Sequence, residues 1–136
     1  MPQTRVITAA DSEQVRQLHG KYAHAADLGR FDDFIACWTE DCVFEVPGIG
    51  KFEGRESIRT MMEEFRASLD GTQQRHVVVN QWFTLQPDGT GTGYSTLLWY
   101  MTKDGTTTLT QVGAYDDELR RVDGEWLFAR RRARFD

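Results

Sequence analysis

The stretch QPDGTGTGYSTLLWYMTKDGTTTLTQVGAYDDELRRVDGEWLFARRRARF, residues 86–135, decides the fold. Three dipeptides, Asp88-Gly89, Asp104-Gly105 and Asp123-Gly124, separate four β-rich segments, the first of which precedes this stretch. Asp-Gly between such segments is the strongest short-range hairpin signal, because both residues accept the positive φ of a tight turn. The pattern predicts an antiparallel meander. Its segments run to roughly a dozen residues, or about 40 Å at about 3.3 Å per residue, against about 5 to 6 residues for an ordinary strand. A sheet built from strands of that length must coil.

Upstream the period changes to that of helices. Asp11, followed three residues later by Gln14, reads as a capping-box start, after which Val15, Leu18, His19, Tyr22, Ala25 and Ala26 recur at helical spacing until Gly29. A short second helix is predicted to carry Phe31, Phe34, Ile35 and Trp38 on one stripe, and Cys42 to Val46 reads as a strand stopped by Pro47-Gly48. Between Gly54 and Leu69, the residues Ile58, Met61, Met62, Phe65 and Leu69 mark a third helix with one apolar face. Three amphipathic helices against the concave side of a strongly curved, mostly antiparallel sheet give an α+β cone with an interior pocket.

Composition narrows the function classes. At 136 residues, the chain is the length of one domain, and no repeat, low-complexity run or linker divides it, so residues 1–136 are read as a single unit. The net charge of -5 and the lack of a recognition motif argue against nucleic-acid binding. No run approaches the roughly 18 apolar residues of a membrane span, and Met1–Ala10 holds no stretch resembling a signal peptide, so a soluble cytoplasmic protein is expected. Cys37 and Cys42 fit no metal or redox spacing and read as buried free thiols, and no metal or other cofactor is expected.

In Glu125–Phe135, strand alternation puts Arg130, Arg132 and Arg134 on one face, while Arg131 shares the other with Leu127, Ala129, Ala133 and Phe135. A permanent charge on an apolar face needs an anionic partner or a polar cavity, so Arg131 either neutralises a structural carboxylate or marks a site. Asp27 stands in the last turn of the first helix, where the negative end of the helix dipole disfavours a carboxylate. It is either a surface acid in a connection or a group placed for proton abstraction. On the segment around His76, alternation gives His76, Val78, Asn80 and Trp82 one face and Val77, Val79, Gln81 and Phe83 the other. His76 with Asn80 is either a satisfied structural network or a set of substrate contacts. Tyr22 packs in the core with its hydroxyl at an edge or borders a pocket, and Trp38, Phe44, Trp82, Trp99, Tyr100 and Tyr115 are core aromatics or the walls of such a pocket.

These pieces together resemble the SnoaL-like branch of the nuclear transport factor 2-like superfamily. The resemblance rests on Tyr22-x4-Asp27, on Phe34-x3-Trp38-x2-Asp41 through Phe44-x2-Pro47, and on Phe52-x-Gly54-Arg55. It continues through Arg75-His76-x3-Asn80, Gly113-x-Tyr115-x2-Glu118 and Gly124-x-Trp126-x4-Arg131. The family fold is an α+β cone. Within the superfamily the chain is similar to scytalone dehydratase, the bile-acid dehydratase and the hexachlorocyclohexane dehydrochlorinase. The resemblance implies an Asp27–His76 dyad with Arg131 assisting; Tyr22 falls where the dehydrochlorinase has lysine and the bile-acid enzyme has tyrosine, which favours loss of water over loss of HCl.

The resemblance thus implies a cofactor-independent dehydratase acting on an apolar cyclic compound such as a steroid, terpenoid or polyketide. The catalytic set is Asp27, His76, Tyr22 and Arg131, and the substrate contacts are Trp38, Phe44, Asn80, Trp82, Tyr100 and Tyr115. Asp27 would orient His76, His76 would remove a proton next to a carbonyl, Tyr22 would protonate the departing hydroxyl, and Arg131 would steady the enolate oxygen. An isomerase or cyclase using the same dyad, and a noncatalytic ligand carrier or complex subunit, are the alternatives within the superfamily. The convex sheet face bearing Val77, Val79 and Phe83 is expected to be covered by another subunit, in a homodimer or homotrimer.

Overall fold

In the computed structural model, which describes residues 7–136, the chain enters helix α1 (Ala9–Leu28) through a capping box. Thr8 is the N-cap. Its hydroxyl accepts the Asp11 N–H at 3.1 Å, and the Asp11 carboxylate accepts the Thr8 N–H at 3.1 Å. The expected box of Asp11 with Gln14 is therefore shifted by one turn, since Asp11 fills the closing acidic position and a hydroxyl upstream does the capping. Most of Met1–Ala10 lies outside the described residues.

Gly29 ends α1 in the left-handed conformation, with φ 69°. A Cβ there would collide with the Arg66 guanidinium. Glycine leaves that passage open, and Arg66 donates to the Asp27 carbonyl at 3.0 Å, satisfying one of the orphan acceptors at the helix end.

Helix α2 is only five residues, Phe31–Ile35, and Trp38 falls outside it. Trp38 instead opens strand β1 (Trp38–Val46), where it pairs with Phe128 of β6. Pairing across the sheet overrides the helical spacing that Trp38 shares with Phe34, and it starts the strand four residues before Cys42. After Pro47-Gly48 the chain returns as β2 (Gly50–Glu53), a short strand not foreseen from the sequence, antiparallel to β1. Helix α3 (Arg55–Ala67) then packs on β1 and β2.

The remaining strands are β3 (Gln73–Leu85), β4 (Gly91–Lys103), β5 (Thr106–Val122) and β6 (Glu125–Phe135). They form the meander the Asp-Gly spacing predicts: Asp104-Gly105 and Asp123-Gly124 turn with φ of 51° and 78°, and of 51° and 82°. The six strands run in the order β2-β1-β6-β5-β4-β3, and β1 with β6 is the parallel pair. This is an α+β fold in which helices line a curved, mostly antiparallel sheet. Among the described residues no helix is long and apolar enough to cross a membrane.

One irregularity changes the reading of β3. Between Val79, opposite Thr96, and Trp82, opposite Tyr94, two residues face the single Ser95. Asn80 takes φ 55° there, and the bulge reverses the alternation. His76 and Val78 face inward, but Asn80 and Trp82 do not, and Trp82 is 75% exposed. Phe83 turns into the core instead of joining Val77 and Val79 on the outer face, and meets Trp126 edge-on with ring centroids 5.0 Å apart.

The core is aromatic at the closed end of the cone. Trp38 lies against Phe44 at 5.2 Å and Tyr22 against Phe34 at 4.8 Å. Cys37 and Cys42 are buried free thiols, and burial pushes the Cys37 thiol up to about 11.

Candidate active site

The end of α1 lies against the start of β3, and the join is held by amide and guanidinium donors aimed at carbonyls that the helix leaves unpaired. Gln73 donates to the Asp27 carbonyl at 2.9 Å, and Gln74 to that of Ala26 at 3.2 Å. This fixes Asp27 beneath β3. Its carboxylate, 2% exposed, accepts the backbone N–H of His76 at 3.0 Å and lies 2.6 Å from His76 Nδ1. An acceptor there keeps the proton on Nδ1 and leaves the Nε2 lone pair free. Trp99 stacks on the imidazole, with centroids 5.7 Å apart and planes 27° apart, and its indole N–H is tied to the Gln74 side-chain oxygen at 3.2 Å.

His76 opens onto a cavity of about 90 Å³. Tyr22, Gln74, His76 and Tyr115 give it polar groups; Phe44, Val46, Ile49, Met61, Met62, Phe65, Leu97, Trp99, Ala133 and Phe135 complete a greasy wall. Among the described residues, no formally charged Lys, Arg, Asp or Glu side chain lines it. A lining of this kind suits uncharged, largely apolar groups, and a hydrogen bond made inside it is stronger than in water.

Arg131 is fully buried and has found its anion: Nε and Nη2 reach the two Asp117 carboxylate oxygens at 2.8 and 2.9 Å. Nη2 also approaches His19 Nδ1 at 3.0 Å. Burial opposes the charge on Arg131, and the adjoining Asp117 carboxylate more than offsets that, so the guanidinium is held above its ordinary pKa. Burial, and then the Arg131 charge, press His19 down to about 3, so it is a neutral acceptor. The guanidinium carbon lies 3.8 Å from the Tyr115 ring centre, 4.0 Å from Phe128 and 4.4 Å from Tyr22. Arg131 thus stands behind the cavity wall rather than in it, which corrects the expectation that it touches substrate.

Of the other expected substrate contacts, Phe44 and Tyr115 line the cavity. Trp38 is sealed in the core, Asn80 and Trp82 are turned out by the bulge, and Tyr100 follows Trp99 on the strand and faces away from the cavity. Asp117 and Gln74 escaped the sequence reading, although each lies two residues along its strand from a residue that was singled out, Tyr115 and His76, and so shares its face. The other three arginines of β6 are held by acids: Arg130 and Arg132 pair with Glu45 at 2.8 Å each, and Arg134 with Asp116 at 3.2 Å. Among the described residues no group of three His, Cys, Asp or Glu side chains is placed to hold a metal ion.

Comparison with known proteins agrees with this architecture. A Catenulispora acidiphila protein solved in complex with S-DNPA is 28% identical, with a TM-score of 0.86 over 95% of this chain and 96% of that one. Aln2 from a Streptomyces species superposes with a TM-score of 0.89 at 22% identity, covering 97% and 95% of the two chains. An NTF2-like protein with a cystatin-like fold from Novosphingobium aromaticivorans gives 0.82 at 25% identity, covering 91% and 80%. No curated protein matches the chain. The SnoaL-like domain family matches residues 8–132, nearly the whole length, and the chain belongs to that family.

Proposed function

We propose that the protein is a cofactor-independent lyase that dehydrates an apolar cyclic compound by proton transfer at His76. The observation that carries this reading is the 2.6 Å contact between Asp27 and His76 Nδ1 at the base of an uncharged cavity. Nε2 takes a proton from the carbon next to a carbonyl, and the C–H electrons become those of an enolate. The enolate reforms the carbonyl as the bond to the neighbouring hydroxyl breaks, and that hydroxyl leaves as water with the proton returned by His76. Asp27 orients the ring and stabilises the imidazolium between the two steps.

Tyr22 has a different part from the acid suggested by resemblance. Burial, reinforced by Tyr115 and opposed by Arg131, pushes its hydroxyl well above the ordinary tyrosine pKa, so it keeps its proton. It donates a hydrogen bond to the carbonyl oxygen, and His76 serves the leaving group. A cavity of about 90 Å³ favours one ring of a terpenoid or polyketide-like compound over a whole steroid nucleus, with the rest extending past half-exposed Ile49. That the Catenulispora relative was solved in complex with S-DNPA supports a ligand-binding role for the present chain.

A single base that removes a proton and gives it back is also what an isomerase needs, and the presence of one imidazole in the cavity favours that as the second reading. Incubation with cyclic β-hydroxyketones decides between them. Growth of the enone absorbance, lost in His76→Ala, is the expected result; deuterium uptake from solvent without loss of water supports isomerisation, and neither change in any of these compounds contradicts both.

A further inference from the structure

We propose that Trp99 is the positioning residue of His76: its indole, pinned by Gln74, covers one face of the imidazole, holds that ring in the plane the Asp27 carboxylate requires, and shares the positive charge the ring gains during turnover. The inference rests on the proton-transfer reading of the same cavity and adds a residue that acts through the base.

The arrangement follows from strand register. His76 of β3 stands directly opposite Trp99 of β4, and Gln74, on the same face of β3, stands opposite Met101. Directly opposed side chains have Cβ atoms about 4.5–5.5 Å apart, and a diagonal neighbour lies within reach of a long aromatic, so a tryptophan here can cover the histidine and touch the glutamine at once. It does both. Indole and imidazole stack with centroids 5.7 Å and planes 27° apart, and the indole N–H donates to Gln74 Oε1 at 3.2 Å. The Gln74 amide, 1% exposed, also donates through Nε2 to the Ala26 carbonyl at 3.2 Å. An indole only donates and a carbonyl only accepts, so this amide fits one way round and cannot turn over. Phe65 of α3 packs against the same indole, with centroids 5.6 Å and planes 39° apart. The indole is thus held at its N–H and by rings from β3 and α3.

The imidazole needs such a support. The last torsion of a histidine side chain is broad, and the contact of Nδ1 with Asp27 at 2.6 Å fixes where that nitrogen lies without fixing the tilt of the ring about it. An aromatic face laid on the imidazole removes the tilt, and the tilt decides where the Nε2 lone pair points. The same face meets the charge, because tryptophan is the best aromatic partner for a cation within about 6 Å of its ring. His76 becomes a cation only after it has taken the proton. The attraction is therefore stronger in the intermediate than in the resting site, which is the condition for raising the rate and not merely the affinity.

Nitrogen NMR of the neutral His76 side chain tests the positioning. A protonated Nδ1 and a bare Nε2 are expected in the native protein and in Trp99→Phe, which keeps a ring over the imidazole; in Trp99→Leu the two signals should draw together as the ring samples both tautomers. A ketone that exchanges its proton at His76 should do so roughly three- to thirtyfold more slowly in Trp99→Leu, with a smaller change in ketone affinity, and Trp99→Phe should recover most of the loss. Native nitrogen signals in Trp99→Leu would overturn the proposal, even in a less stable protein, since lost packing alone lowers the melting temperature and leaves the tautomer as it was. An unchanged exchange rate in Trp99→Leu would overturn it too. Should Trp99→Leu fail to fold, Trp99→Met, which fills more of the space without an aromatic face, decides. The nitrogen signals are read without turnover, so they decide on the positioning even if no ketone exchanges, and exchange that persists in Trp99→Leu leaves the Asp27–His76 reading intact.

Discussion

The Asp27 carboxylate accepts two N–H groups of the same residue, the backbone and the imidazole Nδ1 of His76, at 3.0 and 2.6 Å. One side chain therefore sets both the place of the strand and the tautomer of the base it carries. Asp27→Asn keeps the size but can present an amide N–H to the ring, which turns the Nδ1 lone pair towards the helix and puts a proton on Nε2. The expected outcome is a loss of proton-transfer rate of roughly 10²- to 10⁴-fold with little change in ligand affinity. Steady-state kinetics alongside equilibrium binding checks it, and a variant that turns over at the native rate would remove the dyad.

Asp117 and Arg131 form an ion pair with both side chains at 0% exposure. Removing one partner strands the other's charge, so Asp117→Ala is expected to destabilise the fold by about 3–5 kcal/mol. Replacing both by apolar residues of similar volume is expected to recover much of that. Urea unfolding of the single and double variants measures the difference; equal loss in both would mean that packing rather than charge dominates.

His19 makes stability depend on pH above the range where carboxylates titrate. Its pKa in the folded protein is about 3, and that of an unfolded histidine is about 6.5, so the unfolded state binds a proton first as pH falls. Its contribution is complete above about 6.5 and is lost towards about 3, at up to about 1.4 kcal/mol per pH unit. Melting temperature should fall between pH 6.5 and 5 in the native protein and stay flatter in His19→Gln, whose amide oxygen can still accept from Arg131. Parallel curves for the two proteins would contradict the assignment.

The outer face of β3 and β4 exposes Val77, Val79, Trp82 and Tyr94, with Trp82 and Tyr94 as cross-strand neighbours. Apolar surface gathered in this way is expected to be covered by a second copy of the chain. Light scattering at micromolar concentration should report a dimer or trimer, and Trp82→Asp should shift it to monomer; a native monomer would argue against this.

The fold was legible where local chemistry dictates it. Asp104-Gly105 and Asp123-Gly124 can hardly do anything but turn, and Gly29 ends α1 in the left-handed conformation that glycine takes at least cost. What escaped was set by distant partners. Trp38 has the spacing of a helix but follows Phe128 into the sheet, and the bulge at Asn80 leaves no mark in the alternation of Val77, Val78 and Val79. Within the site, Asp27 and His76 carried their own signals, a misplaced acid and a polar residue in an apolar strand. Arg131 carried one too, and its sequence already allowed the structural carboxylate that Asp117 proves to be. That Tyr22 and Tyr115 share its cation depends on how α1 packs on the sheet, which no single segment encodes.

Solvent exchange tests the central claim most directly. In D2O, a monocyclic or bicyclic apolar ketone bound in the cavity should lose the NMR signal of the proton next to its carbonyl faster than in buffer alone, and His76→Ala and Asp27→Asn should each return the rate to that of buffer. Exchange that is no faster with native protein across ketones shown to bind, or that persists undiminished in His76→Ala, would contradict proton transfer at this site.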